Sequence, residues 1–153
     1  MEAVILDNIR FQFVRNAREK AKLPCRADKG SAGYDFCVCE DIVLNPGDVK
    51  LVFTDVKAYM PEDIVLLITI RSSLAKKGII LPNSPGVVDS SYVDNKDNEG
   101  NIGIILANIG KNVVKLRKGD RVAQGIFVKY FTTENDAIIN LERAGGFGSS
   151  GVA

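Results

Sequence analysis

No histidine occurs in the 153 residues. A general base working near neutral pH must therefore be a carboxylate, a cysteine, a lysine or a tyrosine, and histidine-based triads and zinc sites are excluded. A carboxylate is the expected base. Cysteine is scarce: Cys25, Cys37 and Cys39 are odd in number and stand at no recognised ligand spacing. A thiolate metal site could be assembled from them, but reduced structural thiols are the better reading. Excess charge of either sign is missing too, with 20 Lys and Arg against 19 Asp and Glu for a formal net charge of +1. Nothing in that balance points to a polyanion such as duplex DNA, while small charged ligands remain open. Long apolar runs are absent, since Ile64 to Ile70 and Ile102 to Ala107 fall far short of a bilayer span. The opening MEAVILDN has no basic region followed by an apolar one. The expectation is a cytoplasmic chain with no membrane and no nucleic-acid partner.

What is present has the texture of one packed β domain. At 46% hydrophobic and 25% charged the composition is globular, and the length is enough to bury a core. FQFV, YDFCVC, DVKLVFTDV, DIVLLITI, GIIL, NIGIILANI, NVVKL and VAQGIFVKY are rich in Val, Ile, Phe and Thr. Turn signals such as Asp28-Lys-Gly, Asn45-Pro-Gly-Asp and Lys118-Gly-Asp separate them. That spacing predicts an all-β sandwich or barrel of short strands. A single helical turn is expected over Ser73 to Lys77 and another over Asn16 to Lys22. The packed body is expected over 1–141, followed by a flexible C-terminal arm, 142–153. The arm closes in GGFGSSGVA, too poor in apolar surface to repay its own ordering. Phe147, alone among glycines and serines, is the candidate anchor.

Four polar clusters interrupt the strands: Ser31-Ala-Gly-Tyr-Asp35, Arg71-Ser-Ser73, Asn83-Ser-Pro-Gly-Val-Val-Asp-Ser-Ser-Tyr92 and Gly119-Asp-Arg-Val-Ala-Gln124. Each has a bland explanation. Serines after a strand often cap a helical turn, Lys118-Gly-Asp-Arg is usually a hairpin turn, Asp89 suits a loop and Tyr92 a rim. Together they are more specific. Arg71, Ser72, Ser73, Gln124, Arg143, Ser149 and Ser150 offer cationic and neutral donors, and the glycine-rich tail offers backbone N–H groups that can wrap a phosphate. An aromatic in the same arm can stack on a base, worth about 1–3 kcal/mol. A nucleotide polyphosphate needs both. Asp89 is then the candidate base that activates a water.

The order SAGYD, RSSLAKKG, NSPGVVDSSY, GDRVAQ and RAGGFGSSG, over about Ser31 to Gly151, resembles the five motifs of the homotrimeric dUTPase family. The resemblance implies a β jelly roll that assembles as a homotrimer, its sites built from more than one subunit and closed by an arm from another. It implies hydrolysis of dUTP to dUMP and pyrophosphate, which limits uracil incorporation into DNA and supplies dUMP. Mg²⁺ would ride on the triphosphate, with Asp35 able to reach it through water. Asp89 matches the catalytic carboxylate that directs water at the α-phosphorus, and Tyr92 the tyrosine under the deoxyribose. Asn83 matches the asparagine that reads uracil. Ser72 and Gln124 match phosphate-contacting positions, with Arg71 and Ser73 in the same motif set. Phe147 matches the aromatic that covers the uracil, and Arg143, Ser149 and Ser150 the arm groups on the terminal phosphates.

The chain departs from the family pattern at Ser91, where a second aspartate is common, at Asp94, where glycine is frequent, and at Ile70, where proline is frequent. VDNKDNEGN, 93–101, makes a longer and more polar hairpin tip than the shortest family version. Two other readings share the pattern. A dCTP deaminase of the same fold would need a glutamate acting on cytosine, for which Glu99 is the candidate, and a nucleotide-gated binding protein would use the pocket as a switch.

Overall fold

The structure, a computed structural model, describes residues 8–139, 142–143 and 145–147. Strands begin with β1 (Arg10–Phe13), β2 (Cys25–Arg26), β3 (Tyr34–Cys37), β4 (Ile42–Leu44), β5 (Val49–Phe53) and β6 (Val56–Tyr59). They continue with β7 (Ile64–Ile70), β8 (Ile79–Ile80), β9 (Gly86–Val88), β10 (Gly103–Asn108), β11 (Val114–Leu116) and β12 (Arg121–Lys129). One helical turn, α1 (Ser72–Ala75), follows β7, as expected from the sequence. The second expected turn does not form a helix. Asn16 to Lys22 makes isolated turns instead, closed by Ala17 N–H to Val14 O and Ala21 N–H to Arg18 O, because Asp55 captures the Arg18 N–H and side chain.

The strands assemble into a five-stranded sheet ordered β2-β3-β12-β7-β9, a three-stranded sheet β5-β10-β8, and the pairs β1-β6 and β4-β11. All pairings are antiparallel. This is the jelly-roll-like, all-β architecture. Alternation along β7 shows why: Ile64, Leu66 and Ile68 are buried while Val65, Leu67 and Thr69 between them are partly exposed. Phe36, Val38, Leu44, Leu66, Ile79, Ile102, Ile104, Leu106 and Val122 form the centre of the core, each 1–2% exposed or less. Burying each such side chain contributes about 1.5–3 kcal/mol. The last strand ends at Lys129, and residues 131–139 are exposed throughout. Among the described residues no helix is long and apolar enough to cross a membrane.

A cluster of buried polar groups lies under the 93–101 tip. Asp55 accepts hydrogen bonds from the Arg18 backbone N–H and Nε, both at 2.8 Å, and from Asn101 Nδ2 at 3.0 Å. Burial pushes its carboxyl up, but those bonds outweigh it and hold the pKa at about 2. The Cys39 thiol lies against this carboxylate, and burial above all pushes it up to about 11. All three cysteines are free thiols, in keeping with the structural reading.

Candidate active site

β7 and β10 supply the walls of a pocket of about 140 Å³, and the segment 83–92 supplies its rim. Ile68, Leu81, Ile102 and Ile104 give it an apolar floor. β9 pairs with β7 through Leu66–Val88, Leu67–Val87 and Ile68–Gly86. That pairing places the next residue, Asp89, at the sheet edge, where its side chain is 53% exposed. A short 3₁₀ turn over Ser90–Tyr92 then brings the Tyr92 ring back inward, buried at 6% exposure. The Tyr92 hydroxyl donates to Asn101 O at 2.7 Å and accepts from Asn98 Nδ2 at 2.8 Å. Burial pushes its pKa up, against the smaller opposing effects of Asn98 and Arg143.

Two residues of the arm lie in the same pocket. Arg143 Nη1 donates to Asp89 Oδ2 at 3.1 Å, and the guanidinium carbon stands 5.1 Å from the Tyr92 ring centroid. Its Nε donates to Gly145 O at 2.7 Å, which curls the arm around the guanidinium. The Phe147 ring meets Tyr92 edge-to-face at 5.9 Å and 85°, and Phe53 at 6.2 Å and 83°. It remains 47% exposed.

Asn83, Asp89, Tyr92, Arg143 and Phe147 therefore line one pocket. The other described sequence-predicted residues do not line it. Arg71 and Ser73 line a separate depression with Lys77, Lys115 and Arg121. Arg71 is the N-cap of α1 and makes no side-chain cap bond, and Ser72 and Ser73 are exposed in the turn, which leaves the hydroxyls to a ligand. Gln124 pairs across strands with Asp35 and Thr69, and its side chain lies over Gly33. Asp35 is bound by Arg121 Nη1 at 3.3 Å. The Lys118-Gly-Asp stretch is the tight turn its composition suggested, with Gly119 at φ +94 and Asp120 accepting from Arg117 N–H at 2.8 Å. Ser149 and Ser150 fall outside the described residues.

Glu99, the residue a deaminase would require, is not in the pocket. Lys57 Nζ holds it at 2.9 Å, the Arg15 N–H donates to both carboxylate oxygens, and it lines a different depression. The Asp94 departure is also explained: its φ is +58, a left-handed conformation that suits glycine and that Asp tolerates. Lys57 Nζ at 2.6 Å and the Tyr59 hydroxyl at 2.7 Å fix its carboxylate. Sequence reasoning missed Phe53, Asp97 and Gly103. Only Gly103 carried a signal, as an isolated glycine inside an apolar strand, which marks a close approach.

A rimmed apolar slot with an aromatic lid, one exposed carboxylate and an arginine beside it defines a site for a flat heterocycle that carries anionic groups. On a jelly-roll body, that describes a nucleotide-handling protein. The dUTPase family model matches residues 19–151, and the chain belongs to that family. It is 42% identical over 131 residues to the deoxyuridine 5'-triphosphate nucleotidohydrolase of Lactococcus lactis, covering 84% of this chain and 87% of that one. The crystal structure of the dUTPase from Streptococcus mutans superposes with a TM-score of 0.76 at 38% identity, covering 82% of this chain and 98% of that chain. The Staphylococcus bacteriophage 80alpha dUTPase with dUPNHPP superposes with a TM-score of 0.73 at 27% identity, covering 96% and 100%.

Proposed function

We propose that the chain hydrolyses dUTP to dUMP and pyrophosphate. The observation that carries this reading is the convergence of Asn83, Asp89, Tyr92, Arg143 and Phe147 on one pocket. Asp89 takes a proton from a water as the water oxygen bonds to the α-phosphorus. The bond from that phosphorus to the bridging oxygen breaks, and pyrophosphate leaves with the electron pair. Arg143 Nη1 pairs with the Asp89 carboxylate at 3.1 Å. When the triphosphate enters, its oxygens compete for the guanidinium, so Arg143 turns to the phosphates and Asp89 is released to the water. Tyr92 packs beneath the deoxyribose, where a 2′-hydroxyl would clash, and Phe147 covers the uracil. Uracil is read by Asn83 and the backbone of the Pro82–Gly86 turn, whose proline-stiffened path would reject a thymine methyl by steric contact.

Bound with the triphosphate, Mg²⁺ would supply neutralisation of the phosphate charge. The residues fit an ion brought in by the substrate. Asp35, cross-strand partner of Gln124, would reach such an ion through water.

A homotrimer accords with two features. Arg71 and Ser73 line a depression separate from the Asp89 pocket within one chain, as they would if a second copy completed the site. The outer face of the five-stranded sheet also carries an apolar stripe of Leu67, Val87, Ile126 and Val128, with Val87 59% exposed. Residues 142–153 serve as the closing arm over a body that ends by 141. A cytoplasmic location agrees with three free thiols.

The test is pyrophosphate release from dUTP, dCTP, dTTP and UTP with Mg²⁺, on the full chain and on a chain ending at Glu142. Rapid release from dUTP alone, cut to a slow residual rate on truncation, is expected. Binding of dUTP without cleavage would remove the role given to Asp89 and favour a nucleotide-gated binding protein. Equal activity of the truncated chain would remove the role given to Phe147.

A further inference from the structure

The extended tip 93–101 is held rigid. Asp94, Glu99 and Gly100 all take left-handed conformations, at φ +58, +63 and +83. Lys57, itself 6% exposed, ties Asp94 to Glu99 from below. Asn95 Oδ1 accepts the N–H groups of Asp97 and Asn98 at 3.0 and 3.2 Å, while its Nδ2 donates to Tyr92 O at 2.8 Å. Asn98 Nδ2 donates to the Tyr92 hydroxyl, so the tip is coupled directly to the pocket wall.

The arm lies on this shelf. Gly146 N–H donates to Asp97 Oδ2 at 2.9 Å. Gly145 and Gly146 are both buried there. A Cβ on Gly145 would overlap the Asp97 carboxylate, and one on Gly146 would stand 2.8 Å from Asn98 Nδ2. A side chain at either position would displace the Asp97 or Asn98 side chain that receives the arm.

We propose that Asp97, supported by Asn98, is a positioning residue for dUTP hydrolysis: its carboxylate receives the glycine backbone of the arm and so sets Arg143 and Phe147 over the pocket. The polar tip is thereby a docking shelf for the lid. This rests on the reading of the pocket as a dUTP-hydrolysing site. A backbone N–H donated to an ionised carboxylate is among the stronger hydrogen bonds, and the shelf is already ordered, so the arm alone loses freedom on docking.

The test combines Asp97→Ala and Asp97→Asn with the chain ending at Glu142. In the full chain, Asp97→Ala is expected to lower kcat/KM for dUTP about tenfold, and Asp97→Asn, which keeps an accepting oxygen, about threefold. In the truncated chain Asp97→Ala is expected to change nothing, because no arm remains to dock. Amide hydrogen exchange over 142–147 in the nucleotide-free full chain is expected to quicken in Asp97→Ala while the melting temperature stays within about 2 °C of the parent. An equal loss in the full and truncated chains would make Asp97 merely structural and overturn the proposal. So would unchanged exchange of the arm, a result that holds whether or not dUTP proves to be the substrate.

Discussion

Replacing Gly103 with alanine isolates closure of the lid from stability of the fold. Gly103 sits on β10 opposite Phe53 of β5, at the pocket wall. A Cβ there would lie 2.8 Å from Leu51 Cδ1, 3.0 Å from Phe147 Cζ and 3.1 Å from Phe53 Cε1. Leu51 is 46% exposed and can rotate away, and Phe53 is held in its strand. Phe147 is the neighbour with least to lose by moving, so the strain falls on the arm. Overpacking of this kind costs about 1–3 kcal/mol. A cost of about 2 kcal/mol against closure corresponds to a loss of about thirtyfold in kcat/KM. The melting temperature should hold, since nothing in the core is disturbed. Steady-state hydrolysis of dUTP and a thermal melt measure the two sides. A kcat/KM within twofold of the parent would refute the argument that Gly103 makes room for Phe147. If the loss persisted in a chain ending at Glu142, the new methyl would be obstructing the nucleotide itself rather than the lid.

Asp89→Asn should lower turnover of dUTP by about 10²–10⁴-fold, the usual contribution of a general base, while calorimetry still detects dUTP binding. Lys57→Met strands two carboxylates that keep partial contact with water, at 49% and 28% side-chain exposure, so the cost should fall below that of a fully buried pair. About 2 kcal/mol is expected from urea unfolding, with arm exchange accelerated as the shelf loosens. Acid should destabilise the fold through Asp55. Its folded pKa of about 2 lies below the ordinary 3.8, so its contribution is complete above that range and is lost as pH falls from about 4 to about 2. Melts at pH 5, 4, 3 and 2 should show a shallower decline over that window in Asp55→Asn than in the parent.

Much of this was legible before any coordinates. The period-two alternation in DIVLLITI appears in β7 as an inward row of Ile64, Leu66 and Ile68, because a half-buried strand has no other way to satisfy both faces. The one-turn helix after Arg71 was legible because Leu74 is an apolar anchor in an otherwise polar stretch. The Asn16 to Lys22 segment misled, since its helical propensity is local whereas the Arg18 to Asp55 contact that breaks it spans 37 residues.

The candidate site divides along the same line. Residue type and order marked Asp89, Tyr92, Arg143 and Phe147, because a histidine-free chain has few ways to activate water and a glycine-rich tail has few reasons to carry an aromatic, and the family resemblance added Asn83. Position within one chain was beyond the sequence: Arg71 and Ser73 line a different depression from Asp89, and Gln124 pairs with Asp35 and Thr69 inside the five-stranded sheet. The shelf at 93–101 read only as a polar tip. Its rigidity comes from Lys57 and Asp55, which lie roughly forty residues earlier in the chain. The sequence by itself determined the fold class and the chemistry on offer, since periodicity and residue type are local properties. The tertiary structure decided which of those groups meet, because hydrogen bonds and steric fit act across space without regard to distance along the chain.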